Sequence, residues 1–152
     1  MNVGDICSRN PVAVSTSATL AEVARLMRDR NIGAVMVTKA PLDQPVVVGI
    51  ITDRDIACAQ LARHSDLNSL SAEEAMTRNP LVVNEEDSLS AAIGRLRGRG
   101  VRRAPVVSMH GALVGLVSTD DLLPIVAREL MQLARVVSLQ PRQEAVRKVA
   151  SA

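Results

Sequence analysis

The chain carries one of its own segments twice. Arg9-Asn10-Pro11-Val12-Ala13-Val14 returns as Arg78-Asn79-Pro80-Leu81-Val82-Val83, and Gly49-Ile50-Ile51-Thr52-Asp53-Arg54-Asp55-Ile56 returns as Gly115-Leu116-Val117-Ser118-Thr119-Asp120-Asp121-Leu122. Such a duplication constrains the fold more than composition does. Neither copy is large enough to bury a full apolar face alone, so the two are expected to pack about a pseudo-two-fold axis with clefts between them. From Asn10 to Asn79 and from Val37 to Val106 the offset is 69 residues, but from Asp55 to Asp121 it is 66. Three extra residues therefore lie in the first copy between Val37 and Gly49, where Ala40-Pro41-Leu42-Asp43-Gln44-Pro45 reads as a longer loop than Met109-His110-Gly111.

Within each copy the hydrophobic period changes in the same order. Short apolar runs at Val12 to Val14 and Leu81 to Val83 follow Asn-Pro, a pair that favours extended backbone and a strand start. Leu20, Val23, Ala24 and Met27, and then Leu89, Ala92, Ile93 and Leu96, mark the apolar face of one helix per copy. Thr19 to Glu22 fits a capping box, Ser88 can act as an N-cap, and Asn31 and Gly100 stand where a left-handed residue would end each helix. Two strands are expected next, Ala34 to Thr38 with Val46 to Ile51, and Ala104 to Ser108 with Ala112 to Val117. A last helix follows Thr52 and Ser118. Pro124 should kink that second helix or begin a fresh one, Pro141 should end or interrupt it, and Gln143 to Ala152 reads as a separate short helix or a frayed tail.

With no Phe, Tyr or Trp, the core must be aliphatic, and stacking of bases on aromatic rings is excluded. A net charge of +2 does not favour a nucleic-acid partner. The tail is locally basic: Arg128, Arg135, Arg142, Arg147 and Lys148 face only Glu129 and Glu144 after Pro124, which fits a solvated helix face before an arm for nucleic acid or an acidic partner. Cys7 and Cys58 form no metal-binding or disulfide pattern, and no secretory leader or membrane span is legible, so a soluble cytoplasmic protein is expected. His64 and His110 have no partnered nucleophile, and Met27, Met36 and Met76 read as core, so no enzyme, catalytic cofactor or metal site is expected.

The doubled β-α-β-β-α order, with a Gly-apolar-apolar-Ser/Thr-x-x-Asp motif closing each copy, resembles the cystathionine β-synthase (CBS) domain pair, or Bateman module. Thr52-Asp53-Arg54-Asp55 and Arg102-Arg103-Ala104-Pro105-Val106-Val107 carry the likeness most clearly. It implies an α+β fold with one repeat at 3–62, a second at 72–130 and a helical or partly disordered basic tail at 131–152. It further implies a regulatory module that takes AMP, ADP, ATP or S-adenosylmethionine in its clefts and assembles as a homodimer. Some members of the family keep empty clefts and act as dimerisation scaffolds, which stands as the alternative.

By that resemblance Asp55 and Asp121 match ribose-binding aspartates, and Thr52 and Ser118 match the family's hydroxyl position. The same spacing is that of a capping box, and both roles stay open. Arg54 is placed to reach a phosphate, whereas Asp120 at the equivalent position would repel one. Arg102 and Arg103 stand where the first copy has Gly33 and Ala34, so one of them can hold phosphates while the other faces solvent. Gly33 leaves room for a base or sugar, or simply turns the chain. The adenine would sit among Val14, Ile32 and Ile51, or among their counterparts Val83, Val101 and Val117, if these are not simply core.

Overall fold

A computed structural model describes residues 1–39, 44–63 and 66–150. They fall into two compact units, Met1–Ser118 and Thr119–Ala152. The first unit holds β1 (Ser8–Arg9), β2 (Ala13–Ser15), α1 (Leu20–Arg30), β3 (Ala34–Lys39), β4 (Val46–Thr52) and α2 (Asp53–Arg63). It continues through α3 (Ala72–Ala75), β5 (Thr77–Arg78), β6 (Val83–Asn84), α4 (Leu89–Arg99), β7 (Arg103–Val107) and β8 (Leu113–Ser118). The second unit is one long helix, α5 (Thr119–Ala150). The first part of the expected longer loop, Ala40 to Asp43, and His64 lie outside the described residues.

Helix boundaries follow the local chemistry. Glu22 N–H donates to Thr19 Oγ1 at 3.2 Å and Thr19 N–H donates to Glu22 Oε2 at 2.7 Å, a full capping box, whereas Ser88 Oγ accepts only from Ala91 N–H at 3.2 Å. Asn31 (φ 51°) and Gly100 (φ 63°) take the left-handed conformation that ends α1 and α4. In each case the next residue's N–H returns to a carbonyl of the last turn, Ile32 to Met27 and Val101 to Leu96.

The sheets show what periodicity could not. Their strand orders are β2-β3-β4-β5 and β1-β8-β7-β6, so each repeat lends its own first short strand to the other repeat's sheet. Hydrogen bonds reinforce this exchange symmetrically. Val3 and Gly4 N–H donate to the carbonyls of Asp87 and Glu85, and Ala72 and Glu73 N–H donate to those of Ala18 and Thr16. At two residues each, β1 and β5 are too short to produce a sequence period.

The exchange also corrects the reading of Asn-Pro as extended. Asn10 and Asn79 have φ of 58° and 46°, and the strands begin only at Ala13 and Val83. Asparagine tolerates the left-handed region, which the chain uses to turn from one sheet toward the other.

Both faces of β3 are covered. Val35 and Val37 pack with Leu20, Val23, Met27 and Ile51, whereas Ala34 and Met36, with Ile50, meet Leu113 and Leu116 of the opposite sheet. This follows from side-chain alternation along a strand. An isolated Val46–Ala112 bridge and a Leu113 N–H bond to the Pro45 carbonyl tie the two sheets at their edges.

Sequence differences shorten the second half's ladder. Met36 N–H donates to the Val12 carbonyl at 2.9 Å, but its counterpart Pro105 has no N–H, and β6 pairs with β7 only from Val83 and Val106. On α4, Ala92 and Leu96 are buried while Ile93, expected on the buried face, is 39% exposed.

In the second unit, α5 runs unbroken through Pro124 and Pro141 to Ala150, so neither a fresh helix at Pro124, nor a stop at Pro141, nor a separate helix from Gln143 is present. Pro124 forfeits only the bond to the Asp120 carbonyl, and the segment beyond it is rich in Ala, Leu, Arg, Glu and Gln, all strong helix formers.

Candidate functional site

β4 delivers the chain to Thr52, and α2 starts at Asp53. Asp55 Oδ2 accepts from Thr52 N–H at 2.7 Å and from Thr52 Oγ1 at 2.8 Å, while Asp55 N–H donates to Thr52 Oγ1 at 3.3 Å. The capping arrangement is therefore present. Both bonds to the carboxylate fall on Oδ2, and Oδ1 takes none among the described residues.

Gly33 lies beside this helix start, its carbonyl accepting from Asp53 N–H at 3.3 Å. A β-carbon placed on Gly33 would lie 3.5 Å from Arg103 Nη1 and Nη2 and 3.5 Å from Asp53 Oδ2. Three chain segments thus converge: the entry to β3, the N-terminus of α2, and the first residue of β7 from the other repeat. The register explains the convergence, because Ala34 pairs with Thr52 across β3 and β4 as Arg103 pairs with Ser118 across β7 and β8. Arg103 is half-buried and has no ion-pair partner among the described residues. The first three N–H groups of α2 are taken by the Gly33 carbonyl, Asp53 Oδ1 and Thr52 Oγ1, so the affinity of the spot for anions comes from the Arg103 guanidinium and the positive dipole end of the helix, moderated by Asp53 and Asp55.

The other nominated residues are spread more widely. Arg54 is exposed, its N–H bonded to Asp53 Oδ1 at 2.9 Å, and Arg102 is exposed. Ile32 is half-buried, adjoins Gly33 and packs on the first repeat's core. Val14 instead lines an open groove with Glu22, Arg25, Leu26 and Asp29, which holds none of the other nominated residues. Ile51, Val83 and Val117 have no exposed surface and are core, while Val101 is 39% exposed.

In the second motif Ser118 is 8% exposed at the end of β8. Asp120 is exposed and Asp121 half-buried in the first turn of α5.

Asp53 was not among the residues nominated from sequence. Nothing local marks it, since its nearness to Gly33 and Arg103 depends on pairing between strands far apart in the chain.

The described residues contain no cluster of three or more His, Cys, Asp or Glu side chains that could hold a metal ion. None of the described helices is long and apolar enough to cross a membrane.

The two exchanged sheets, with a Ser or Thr and then an Asp at the helix start after the last strand of each, define a tandem β-α-β-β-α repeat. The CBS domain pattern matches residues 3–62 and 72–128, and the chain belongs to that family as a CBS domain pair. It is 33% identical to the CBS domain-containing protein YhcV of Bacillus subtilis over 80% of this chain and 82% of that one. It is 29% identical to the protein MK0525 of Methanopyrus kandleri over 82% of this chain, and spans only 62% of that protein's length. Among solved structures, the CBS domain pair of protein MJ0100, in complex with 5′-methylthioadenosine and S-adenosyl-L-methionine, superposes with a TM-score of 0.71. It is 26% identical and covers 83% of this chain and 99% of its own.

Proposed function

We propose that this chain is a regulatory module that binds an adenine nucleotide of the AMP, ADP or ATP type, or S-adenosylmethionine, between its repeats. The observation that carries the reading is Arg103 of the second repeat reaching Gly33 and Asp53 of the first. A ligand there would touch both halves and favour the arrangement to which it binds more tightly, which is what regulation by population shift requires. In this reading Asp55 Oδ1 accepts from ribose hydroxyls, Arg103 and Arg54 hold phosphates, and the base lies near Ile32 and Gly33. The adenosine compounds bound by MJ0100 support the ligand class. The protein acts as a cytoplasmic homodimer without catalysing a reaction. A ligand-free scaffold is the second reading, favoured by the satisfaction of Asp55 Oδ2 within its own helix start.

Lacking Trp and Tyr, the protein barely absorbs in the near ultraviolet, so a co-purified nucleotide would appear directly at the adenine maximum. Titration calorimetry with AMP, ADP, ATP and S-adenosylmethionine should find at least one ligand. Asp55→Ala is expected to weaken every adenosine ligand by about 10- to 100-fold, the worth of charged hydrogen bonds. Arg103→Ala should weaken the phosphate-bearing ligands most. Absence of heat with all four compounds leaves the scaffold reading in place.

A further inference from the structure

Asp53 and Arg103 set opposite charges on two sides of a single point. The place of a β-carbon on Gly33 lies 3.5 Å from Asp53 Oδ2 and 3.5 Å from both Nη atoms of Arg103, and glycine has no side chain to fill it. Neither charge is neutralised by a neighbour. Among the described residues Asp53 and Arg103 form no ion pair, with each other or with any third side chain. Two bonds fix the carboxylate: Asp53 N–H donates to the Gly33 carbonyl at 3.3 Å, and Asp53 Oδ1 accepts from Arg54 N–H at 2.9 Å. Oδ2 is left facing Gly33, with no donor of its own among the described residues. Arg103 is half-buried at the start of β7, where its backbone pairs with Ser118. The sequence makes this charge pair once, because Ala34 stands in the first repeat where the second has Arg103, and Thr119 in the second where the first has Asp53.

A phosphate brought to Arg103 meets Asp53 at a similar distance, so attraction and repulsion largely cancel. An α-amino acid meets no such conflict. Its carboxylate and ammonium stand on one carbon, and a carbon near that point turns the first to the guanidinium and the second to Asp53 Oδ2, two charged contacts of the right sign. We propose that, among adenosine ligands, the site prefers one that ends in an α-amino acid, of the S-adenosylmethionine type, to one that ends in phosphates, and that Asp53 makes the choice. The inference deepens the adenosine-binding reading and rests on it.

Titration calorimetry of the full chain without divalent metal tests both, with S-adenosylmethionine, S-adenosylhomocysteine, 5′-methylthioadenosine and ATP as probes. The first two keep the amino-acid end and should bind about tenfold more tightly than 5′-methylthioadenosine, which lacks it, and more tightly than ATP. Asp53→Asn retains an acceptor for Arg54 N–H. It should weaken both amino-acid ligands by about fivefold to tenfold, as expected of a partly exposed charged contact. It should leave 5′-methylthioadenosine unchanged and improve ATP by about twofold to fivefold, through loss of a like charge. Gly33→Ala puts a methyl group at the point itself with ordinary contacts, so it should keep its melting temperature and lose the advantage of the amino-acid ligands over 5′-methylthioadenosine. The preference is overturned, and the adenosine reading left standing, by any of three results: tighter binding of ATP to the intact protein, an Asp53→Asn variant that keeps S-adenosylmethionine or loses all four ligands alike, or a Gly33→Ala variant that retains the advantage. No binding of any of the four overturns both.

Discussion

Where the first repeat opens its middle strand with Ala34 opposite Thr52, the second opens it with Arg103 opposite Ser118; where the first follows its hydroxyl with Asp53 and Arg54, the second has Thr119 and Asp120. Against these differences stand positions where the halves agree in role. Gly49 and Gly115 each leave room for a side chain of the exchanged segment, Met76 over one and Cys7 over the other. Asn2 with Asp5 and Ser71 with Glu74 cap the short helical turns that precede β1 and β5. Residues that make the backbone possible have been kept alike, and residues that would meet a ligand have diverged. The two motifs should therefore differ in chemistry while sharing a scaffold.

The sharpest way to break that scaffold equivalence is to fill the two glycines. Gly49→Ala and Gly115→Ala should each destabilise by about 1–3 kcal/mol through overpacking, measured by denaturant unfolding. Their rescue should be partial in both. Met76→Ala removes the Sδ and Cγ that crowd a β-carbon at Gly49 but leaves the Met76 Cβ 2.9 Å away, and Cys7→Ala removes the Sγ at Gly115 but leaves the Ser8 carbonyl oxygen 3.0 Å away. Full rescue of either glycine variant would show that the exchanged segment shifts to make room.

A smaller effect separates the helix starts. Thr19→Ala removes a reciprocal box and should cost about 1 kcal/mol, and Ser88→Ala, which removes a single bond, should cost less. Supplying the missing partner with Ala91→Glu should recover a few tenths of a kcal/mol in thermal or denaturant unfolding.

Acid provides the finest distinction, because the linker between the repeats has no counterpart elsewhere in the chain. Asp66 Oδ1 accepts from Asn68 N–H at 3.0 Å and from its side-chain amide at 2.8 Å, and these bonds, the backbone one foremost, hold the carboxyl below its ordinary range. A carboxyl depressed on folding contributes stability above its unfolded pKa, about 3.9, and loses it as pH falls through the lower folded value. Asp66→Asn should flatten that part of the melting temperature's acid dependence. An unchanged profile would show that the linker turn contributes nothing through this charge.

Much of the fold was legible because its signals are local. Thr19, Ser88, Asn31 and Gly100 act within one helical turn of themselves, and the alternation of Val35, Met36 and Val37 survives in the folded strand. Asn10 and Asn79 were misread because the turn they make serves a strand exchange that spans the repeats. Pro124 and Pro141 were overrated as breakers, since a single missing N–H does not outweigh the long helix around it. For the candidate site, the motif named Thr52 and Asp55, and the doubled arginines named Arg103. Asp53 as their neighbour was not legible.

The sequence alone determined that there are two like units, where their helices begin and end, and which residue types stand at each motif, because those depend on spacing and on side chains that bond to their own backbone. Only the tertiary structure decided that each unit completes the other's sheet and that Arg103 of one lies beside Gly33 and Asp53 of the other. The physical reason is that contacts between residues tens of positions apart arise from packing two sheets face to face, and no local period records which partner a strand will find.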